Sequence, residues 1–238
     1  MNTIHAEVIL AAVETDAAKL AALTDVLAPS EIARAQSFRH MADRQRFVTA
    51  HCLLRAALGM KLGCHPAAVP LIRKPSGQWI CEGEGIHVSL AHSGAYVFVA
   101  TADSPAGIDI EEIAGSDALA LAREWFSPAE AAAIAEAPPA SRDVLFLRYW
   151  TAKEAVLKAA GTGLSVPLAD FSVAPPDPVP RSITLLQPHP ALAGLAVASL
   201  PVPAGYVAAL SLPEGAWTIA QRHEEAAASL AHCIEASR

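Results

Sequence analysis

The stretch Arg46-Phe-Val-Thr-Ala50 returns about a hundred residues later as Arg148-Tyr-Trp-Thr-Ala152, matching in type at four of five positions. Each copy lies in the best helical stretch of its part of the chain. Each is followed by a β-rich segment, GAYVFVATA at 94–102 and GYVAALSL at 205–212. A helix-then-strand unit that occurs twice constrains the fold to duplicated halves packed face to face, with the cleft between them a favoured place for a ligand. The expected class is therefore α+β, with two similar α/β halves related by a pseudo-twofold. Each half would be a small, mainly antiparallel sheet with a long helix packed on it. The expected division is 1–103 and 104–238, in one compact unit.

With 238 residues, 53% of them hydrophobic, the chain can bury a substantial core. A formal charge of −7 argues against nucleic acid as a partner held by bulk electrostatics. Any polyanionic ligand must be gripped by a few placed cations or by a metal. The four cysteines, Cys52, Cys64, Cys81 and Cys233, show no CxxC pairing, which points to buried thiols in a reducing compartment. The opening MNTIHAEVILAAVETD breaks its apolar run with Glu7 and Glu14, unlike a signal peptide. No charged residue occurs between Arg181 and Glu214. Pro188, Pro190, Pro201 and Pro203 nevertheless cut that run into pieces shorter than the ~20 residues of a spanning helix. These pieces read as buried strands, and the expectation is a soluble, cytoplasmic protein without a membrane partner.

IHAEVILAAV reads as a first strand and SEIARAQSF as a helix with Ser30 as N-cap. RFVTAHCLLRAALGMKLG is a helix closed by glycine, and residues 86–102 give two strands, or one broken at His92-Ser93-Gly94. GIDIEEI is a further strand. FSPAEAAAI starts a helix, with Ser127 as N-cap, Pro128 at the first helical position and Glu130 completing a capping box. Residues 174–180 form a proline-rich loop, SITLLQ, LAGLAVASL and GYVAALSL a small antiparallel sheet, and the polar end is helical.

In Gly107-Ile-Asp109-Ile-Glu111 the acidic and apolar residues alternate. On a strand, Asp109 and Glu111 share one face, starting about 7 Å apart, while Ile108 and Ile110 enter the core. Two like charges at that spacing suit a hard cation such as Mg²⁺ between them; the plainer alternative is a solvated acidic edge. In WTAKEAVLKAAGTG, Glu154 and Lys158 stand one turn apart on one helix face with Lys153 beside them. A surface ion pair would explain them, yet Trp150, Val156 and Leu157 leave little of this helix for solvent. A third carboxylate from this helix would complete a magnesium site. His92-Ser93, at a strand end, supplies donors suited to phosphate oxygens, or a structural turn.

GIDIEE, HSG and WTAKEAVLK, in that order and with these gaps, resemble the surfactin-synthetase-activator (Sfp-type) class of 4′-phosphopantetheinyl transferases. That family is marked by a GxDxE strand and a W-x-x-KE-x-x-x-K helix. The likeness covers most of 30–173. It implies transfer of 4′-phosphopantetheine from coenzyme A to a serine of an apo acyl or peptidyl carrier protein, with release of 3′,5′-ADP. It further implies Asp109, Glu111 and Glu154 as Mg²⁺ ligands, Glu154 as the base and Lys158 as the cation on pyrophosphate and leaving group. Arg46 falls at the adenine end, Arg34 at the 3′-phosphate and His92 at a coenzyme A phosphate. Ser93 and Lys153 join the coenzyme A contacts. Ala91 replaces a hydroxyl of the family's usual pattern, and Gln78 stands where the family has a phosphate-binding lysine, so that Lys74 or Arg73 must substitute. Trp125 and Phe126 are candidates for carrier docking, or for core packing. Two other readings use the same residues: a Mg²⁺-dependent phosphohydrolase with water as nucleophile, and a non-catalytic module binding coenzyme A or a carrier. Duplicated halves favour a monomer, since one chain supplies both walls of the cleft.

Overall fold

The computed structural model describes residues 3–74, 77–83, 85–174 and 177–237. The first strand, β1 (Ile4–Ala12), leads into three helices, α1 (Ala17–Thr24), α2 (Pro29–Gln36) and α3 (Met41–Leu62), then β2 (Leu71–Arg73), β3 (Trp79–Cys81), β4 (His87–Ser93) and β5 (Tyr96–Ala102). The chain continues through β6 (Gly107–Glu112), α4 (Ala118–Trp125), α5 (Pro128–Glu136) and α6 (Arg142–Ala160). It ends with β7 (Phe171–Ser172), β8 (Arg181–Ser182), β9 (Thr184–Leu185), β10 (Leu195–Ser199), β11 (Tyr206–Pro213), β12 (Trp217–Glu224) and α7 (Ala226–Ala236).

Two four-stranded sheets carry the architecture, in the orders β12-β1-β5-β4 and β6-β11-β10-β8. Period-two alternation sorts each strand's residues between two layers. Val8 and Leu10 of β1, Phe98 and Ala100 of β5, Ile108 and Ile110 of β6 and Leu210 and Leu212 of β11 form one apolar layer between the sheets. The opposite faces receive the long helices: Ile9, Ala11, Val97 and Val99 meet α3, while Val197 and Ala209 meet α6. Helix α3 is buried all round from Phe47 to Gly59, because Ala226 and Leu230 of α7 join its cluster on the outside.

The mixed α+β character is as the sequence predicts, and the core strands within each sheet run in one recurring order. Strand β1 pairs antiparallel with β5 and β5 with β4; β6 pairs antiparallel with β11 and β11 with β10. Two features depart from expectation. Strand β12 pairs parallel with β1, so the last strand completes the first sheet and the division at 103/104 does not separate the sheets. The N-cap of α2 is Ala28 rather than Ser30: Pro29 takes the first helical position, and the Glu31 carboxylate accepts the Ala28 N–H at 2.7 Å. The cap at Ser127 forms as predicted, with Glu130 accepting its N–H at 3.1 Å. Residues 175–176 of the proline-rich loop lie outside the described residues. Cys52, Cys81 and Cys233 are buried and Cys64 half-buried. Among the described residues no helix is long and apolar enough to cross a membrane.

Candidate active site

Strand β6 lies directly against α6, and Gly107 is the reason it can. A β-carbon there would overlap the carbonyl oxygen of Ala155 and the backbone nitrogen of Ala159, so any larger residue pushes strand and helix apart. From this contact the alternation acts as the sequence predicts: Ile108 and Ile110 enter the inter-sheet core, and Asp109 and Glu111 turn towards α6. Asp109 is only 6% exposed and lies under Lys158, whose Nζ reaches its Oδ1 at 2.7 Å and donates to the Ile108 carbonyl at 3.1 Å. The other oxygen, Asp109 Oδ2, is buried and has no hydrogen-bond partner. Glu154, half-buried, sits one helical turn before Lys158.

Strand β4 of the first sheet supplies the facing wall. Ser93 Oγ donates to Glu111 Oε2 at 2.8 Å and accepts the Glu112 N–H at 3.0 Å. Ser89 Oγ accepts the Ile108 N–H at 3.0 Å, so its hydroxyl is spent in joining the two sheets. Ser93 therefore orients a carboxylate. His92 lies solvent-accessible beside it. Loss of surrounding water in the cleft, with the charges of Arg46 and Lys158, holds its imidazole below the usual value. Arg46 approaches the same turn, donating to the Gly94 carbonyl at 3.2 Å and pairing with Asp43.

All three carboxylates are pushed above their ordinary range. Burial is the main cause for Asp109, and the Lys158 ammonium only partly offsets it. Burial and then the Asp109 charge act on Glu111; burial acts on Glu154, with Lys158 opposing and Asp109 adding to the shift. Three carboxylates are gathered here around one ammonium, that of Lys158. An all-oxygen donor set with one orphaned buried oxygen fits a hard divalent cation. The cage is not closed: among the described residues no three His, Cys, Asp or Glu side chains converge into a metal-holding group. Lys158 and Ser93 occupy one oxygen each of Asp109 and Glu111. A divalent ion here would need phosphate oxygens and water to complete its shell.

A cleft of about 340 Å³ opens beside these groups, with Trp79, Leu90 and Leu157 as apolar lining and Arg73, Gln78, Glu154 and Lys158 as polar lining. Arg73, not Lys74, shares this cleft. Lys74 Nζ approaches Gln78 Oε1 at 3.4 Å and borders a neighbouring hollow with His87 and Ala159. Larger hollows of about 420 and 440 Å³ lie around Glu7 and Lys61 and hold none of these groups.

Lys153 is a correction. One residue before Glu154 on a helix means about 100° around the axis, and that rotation takes it out of the cleft altogether. It is fully buried, pairs with Glu130 at 2.9 Å and donates to the Leu168 and Phe171 carbonyls. Arg34 is exposed on α2 with its guanidinium 4.8 Å from the Phe38 ring centroid, and it does not line the cleft. Phe126 is buried and stacks on Phe146 at 5.0 Å between centroids, leaving Trp125 as the exposed aromatic of that pair.

Residues 105–211 match the family described as the 4′-phosphopantetheinyl transferase superfamily. A 4′-phosphopantetheinyl transferase of Bacillus subtilis is 31% identical over 157 residues, covering 66% of this chain and 70% of that protein. The 4′-phosphopantetheinyl transferase HetI of Nostoc sp. is 34% identical over 149 residues, 60% of this chain and 63% of its own. The 4′-phosphopantetheinyl transferase Sfp of Bacillus subtilis is 27% identical over 148 residues, 62% of this chain and 66% of its own.

Proposed function

The chain belongs to the 4′-phosphopantetheinyl transferase superfamily, and from that premise we propose how its cleft transfers phosphopantetheine to a carrier protein. The donor is coenzyme A and the acceptor a serine hydroxyl of an apo acyl or peptidyl carrier. Glu154 takes the serine proton as the oxygen attacks the β-phosphorus. A new P–O bond forms, the bond from that phosphorus to the bridging pyrophosphate oxygen breaks, and 3′,5′-ADP leaves. Lys158 faces the charge that builds on the departing phosphate, the kind of placed cation that phosphoryl transfer requires. Arg73 and His92 hold the pyrophosphate, Arg46 the adenine end and Arg34 the 3′-phosphate, reached from outside the cleft. Asp109, Glu111 and Glu154 would hold Mg²⁺, which supplies charge neutralisation on the phosphate oxygens.

One observation carries this reading: Asp109 keeps one buried, partnerless carboxylate oxygen, while Lys158, a helical turn after Glu154, holds the other. The recurring strand order supports a pseudo-twofold between halves and hence a monomer with its cleft between them. A cytoplasmic location goes with that reading. Incubating the chain with Mg²⁺, coenzyme A and several apo carriers, and following each carrier by intact mass, tests it. The expected result is a gain of one phosphopantetheine. Breakdown of coenzyme A without a carrier would replace the proposal by a phosphohydrolase, and binding without any transfer would replace it by a binding module.

A further inference from the structure

The turn between β4 and β5 belongs to the first sheet, where the Ala95 carbonyl accepts the Val13 N–H at 2.9 Å, yet it also bonds to the second. Tyr206, at the start of β11, places its hydroxyl to accept the Ala95 N–H at 2.9 Å and to donate to Glu112 Oε1 at 3.1 Å. Its ring meets Tyr96 edge-on at 5.0 Å between centroids. Gly94, at φ +51°, has no room for a β-carbon, which would overlap the Tyr206 hydroxyl and the Glu112 carboxylate. Within the same three residues Ser93 holds Glu111, and the Gly94 carbonyl receives Arg46. One phenol therefore clasps the turn whose members set a proposed metal ligand on one side and a proposed adenine-end cation on the other.

We propose that Tyr206 is a positioning residue for the divalent-cation edge of the cleft, acting through the Ser93-Gly94-Ala95 turn on Glu111. This rests on the reading of Asp109, Glu111 and Glu154 as metal ligands. Without the hydroxyl, the Ala95 N–H and Glu112 lose their shared partner. The turn is then held to β6 by the Ser93 bonds alone, and the Glu111 carboxylate samples more orientations than a cation can use. A group bonded directly to a ligand typically changes metal affinity about 10- to 100-fold when removed. A group one bond further out is expected to change it about three- to tenfold, below that direct effect.

The test titrates the whole chain with Mn²⁺ in the presence of coenzyme A, reading free Mn²⁺ by its electron paramagnetic resonance signal. Wild type is compared with Tyr206→Phe, Ser93→Ala and the double variant, and each is checked for thermal midpoint. The expected result is weaker Mn²⁺ binding in Tyr206→Phe, still weaker in Ser93→Ala, with the double variant close to Ser93→Ala because both act through one turn. Unchanged Mn²⁺ affinity in Tyr206→Phe, whatever its thermal midpoint, overturns the inference, as does full additivity in the double variant. If the wild type binds no Mn²⁺ above background, the metal reading falls with it. Transfer activity measured beside the titration keeps that failure distinct from failure of the proposed reaction.

Discussion

The two long helices, α3 and α6, are built alike and used differently. Aligning Arg46 with Arg148 places Cys52 opposite Glu154 and Ala56 opposite Lys158. Aligning Tyr96 with Tyr206 on their ladders places Ile9 opposite Asp109 and Ala11 opposite Glu111. Each of these four groups thus lies opposite a residue of the first sheet or its helix that is apolar and no more than 2% exposed. The bracing outside that layer is shared. A proline-started short helix offers a glutamate from its first turn to a cation on the long helix: Glu31 meets His51 and Arg55, and Glu130 meets Lys153. The two helix-on-sheet layers teach that the packing of a long helix on a sheet carries no chemistry by itself. Four substitutions in one helix-on-sheet layer turn a sealed core into a charged one, and the cost appears as carboxylates driven above their usual range, whereas the brace carboxylate Glu31 is driven below it.

The largest expected effect separates the halves by rate. Glu154→Gln should lower carrier modification by about 10²- to 10⁴-fold, while Cys52→Ala leaves the rate of the folded protein unchanged. A strong rate loss in Cys52→Ala would mean that the sealed layer between α3 and the first sheet takes part in the chemistry and break the comparison.

Next comes the shared brace. Lys153→Met leaves Glu130 buried with hydrogen bonds from Ser127 and Val173 but no cation. Such a change typically costs about 3–5 kcal/mol, read as a lower urea midpoint; a loss well under that would show that the hydrogen bonds alone hold the carboxylate.

Gly107→Ala should cost about 1–3 kcal/mol by overpacking β6 against α6. The matching position in β1 is Glu7, half-buried and paired with Lys61 at 2.8 Å and with Arg222. Glu7→Ala should change stability by no more than about 1 kcal/mol, and equal losses at both sites would show that the close approach is not particular to the active half.

The smallest effect concerns pH. Burial pushes Glu31 up, but the hydrogen bonds from His51 and Ala28 and the charge of Arg55 outweigh it and hold the carboxyl below 4.5. The unfolded chain then binds the proton more tightly, so this group's stabilisation is full above pH 4.5 and is lost as pH falls through the folded value. Burial likewise holds His51 below 6.5, which gives the same sign at higher pH. Glu31→Gln should flatten the acid limb of the stability curve by an amount on the order of 1 kcal/mol, seen in urea midpoints between pH 6 and 3. An unaltered limb would assign the acid sensitivity to other groups.

Local rules made much of this legible. Alternation in GIDIEE put Asp109 and Glu111 on one face, the i,i+4 spacing put Glu154 with Lys158, and Pro128 with Glu130 marked the start of α5. Each depends only on near neighbours. What depends on packing was not legible. Lys153 sits beside Glu154 in the chain, yet only the helix direction relative to Glu130 decides that it is a brace. Ser30 is a good capping residue, but Pro29 and Glu31 together start α2 earlier. Arg73 and Lys74 are equivalent in sequence, and the pairing of β2 with β3 gives the cleft to Arg73. Strand β12 did carry a signal, since Trp217 and Ile219 alternate with polar residues and are the pair that joins the inter-sheet layer. The polar face and the charged run RHEE concealed it.

The parallel pairing of β12 with β1 also fixes an order of events during synthesis. The edge of β1 that β12 covers stays unpaired until residues 217–224 have emerged, some two hundred residues after β1 itself. Through that interval the nascent chain carries an open apolar strand edge, the kind of template on which chains join one another. The time taken to translate the chain from the end of β1 to residue 224 therefore sets the lifetime of that exposed edge, and slower elongation within that span should raise the demand for chaperone cover.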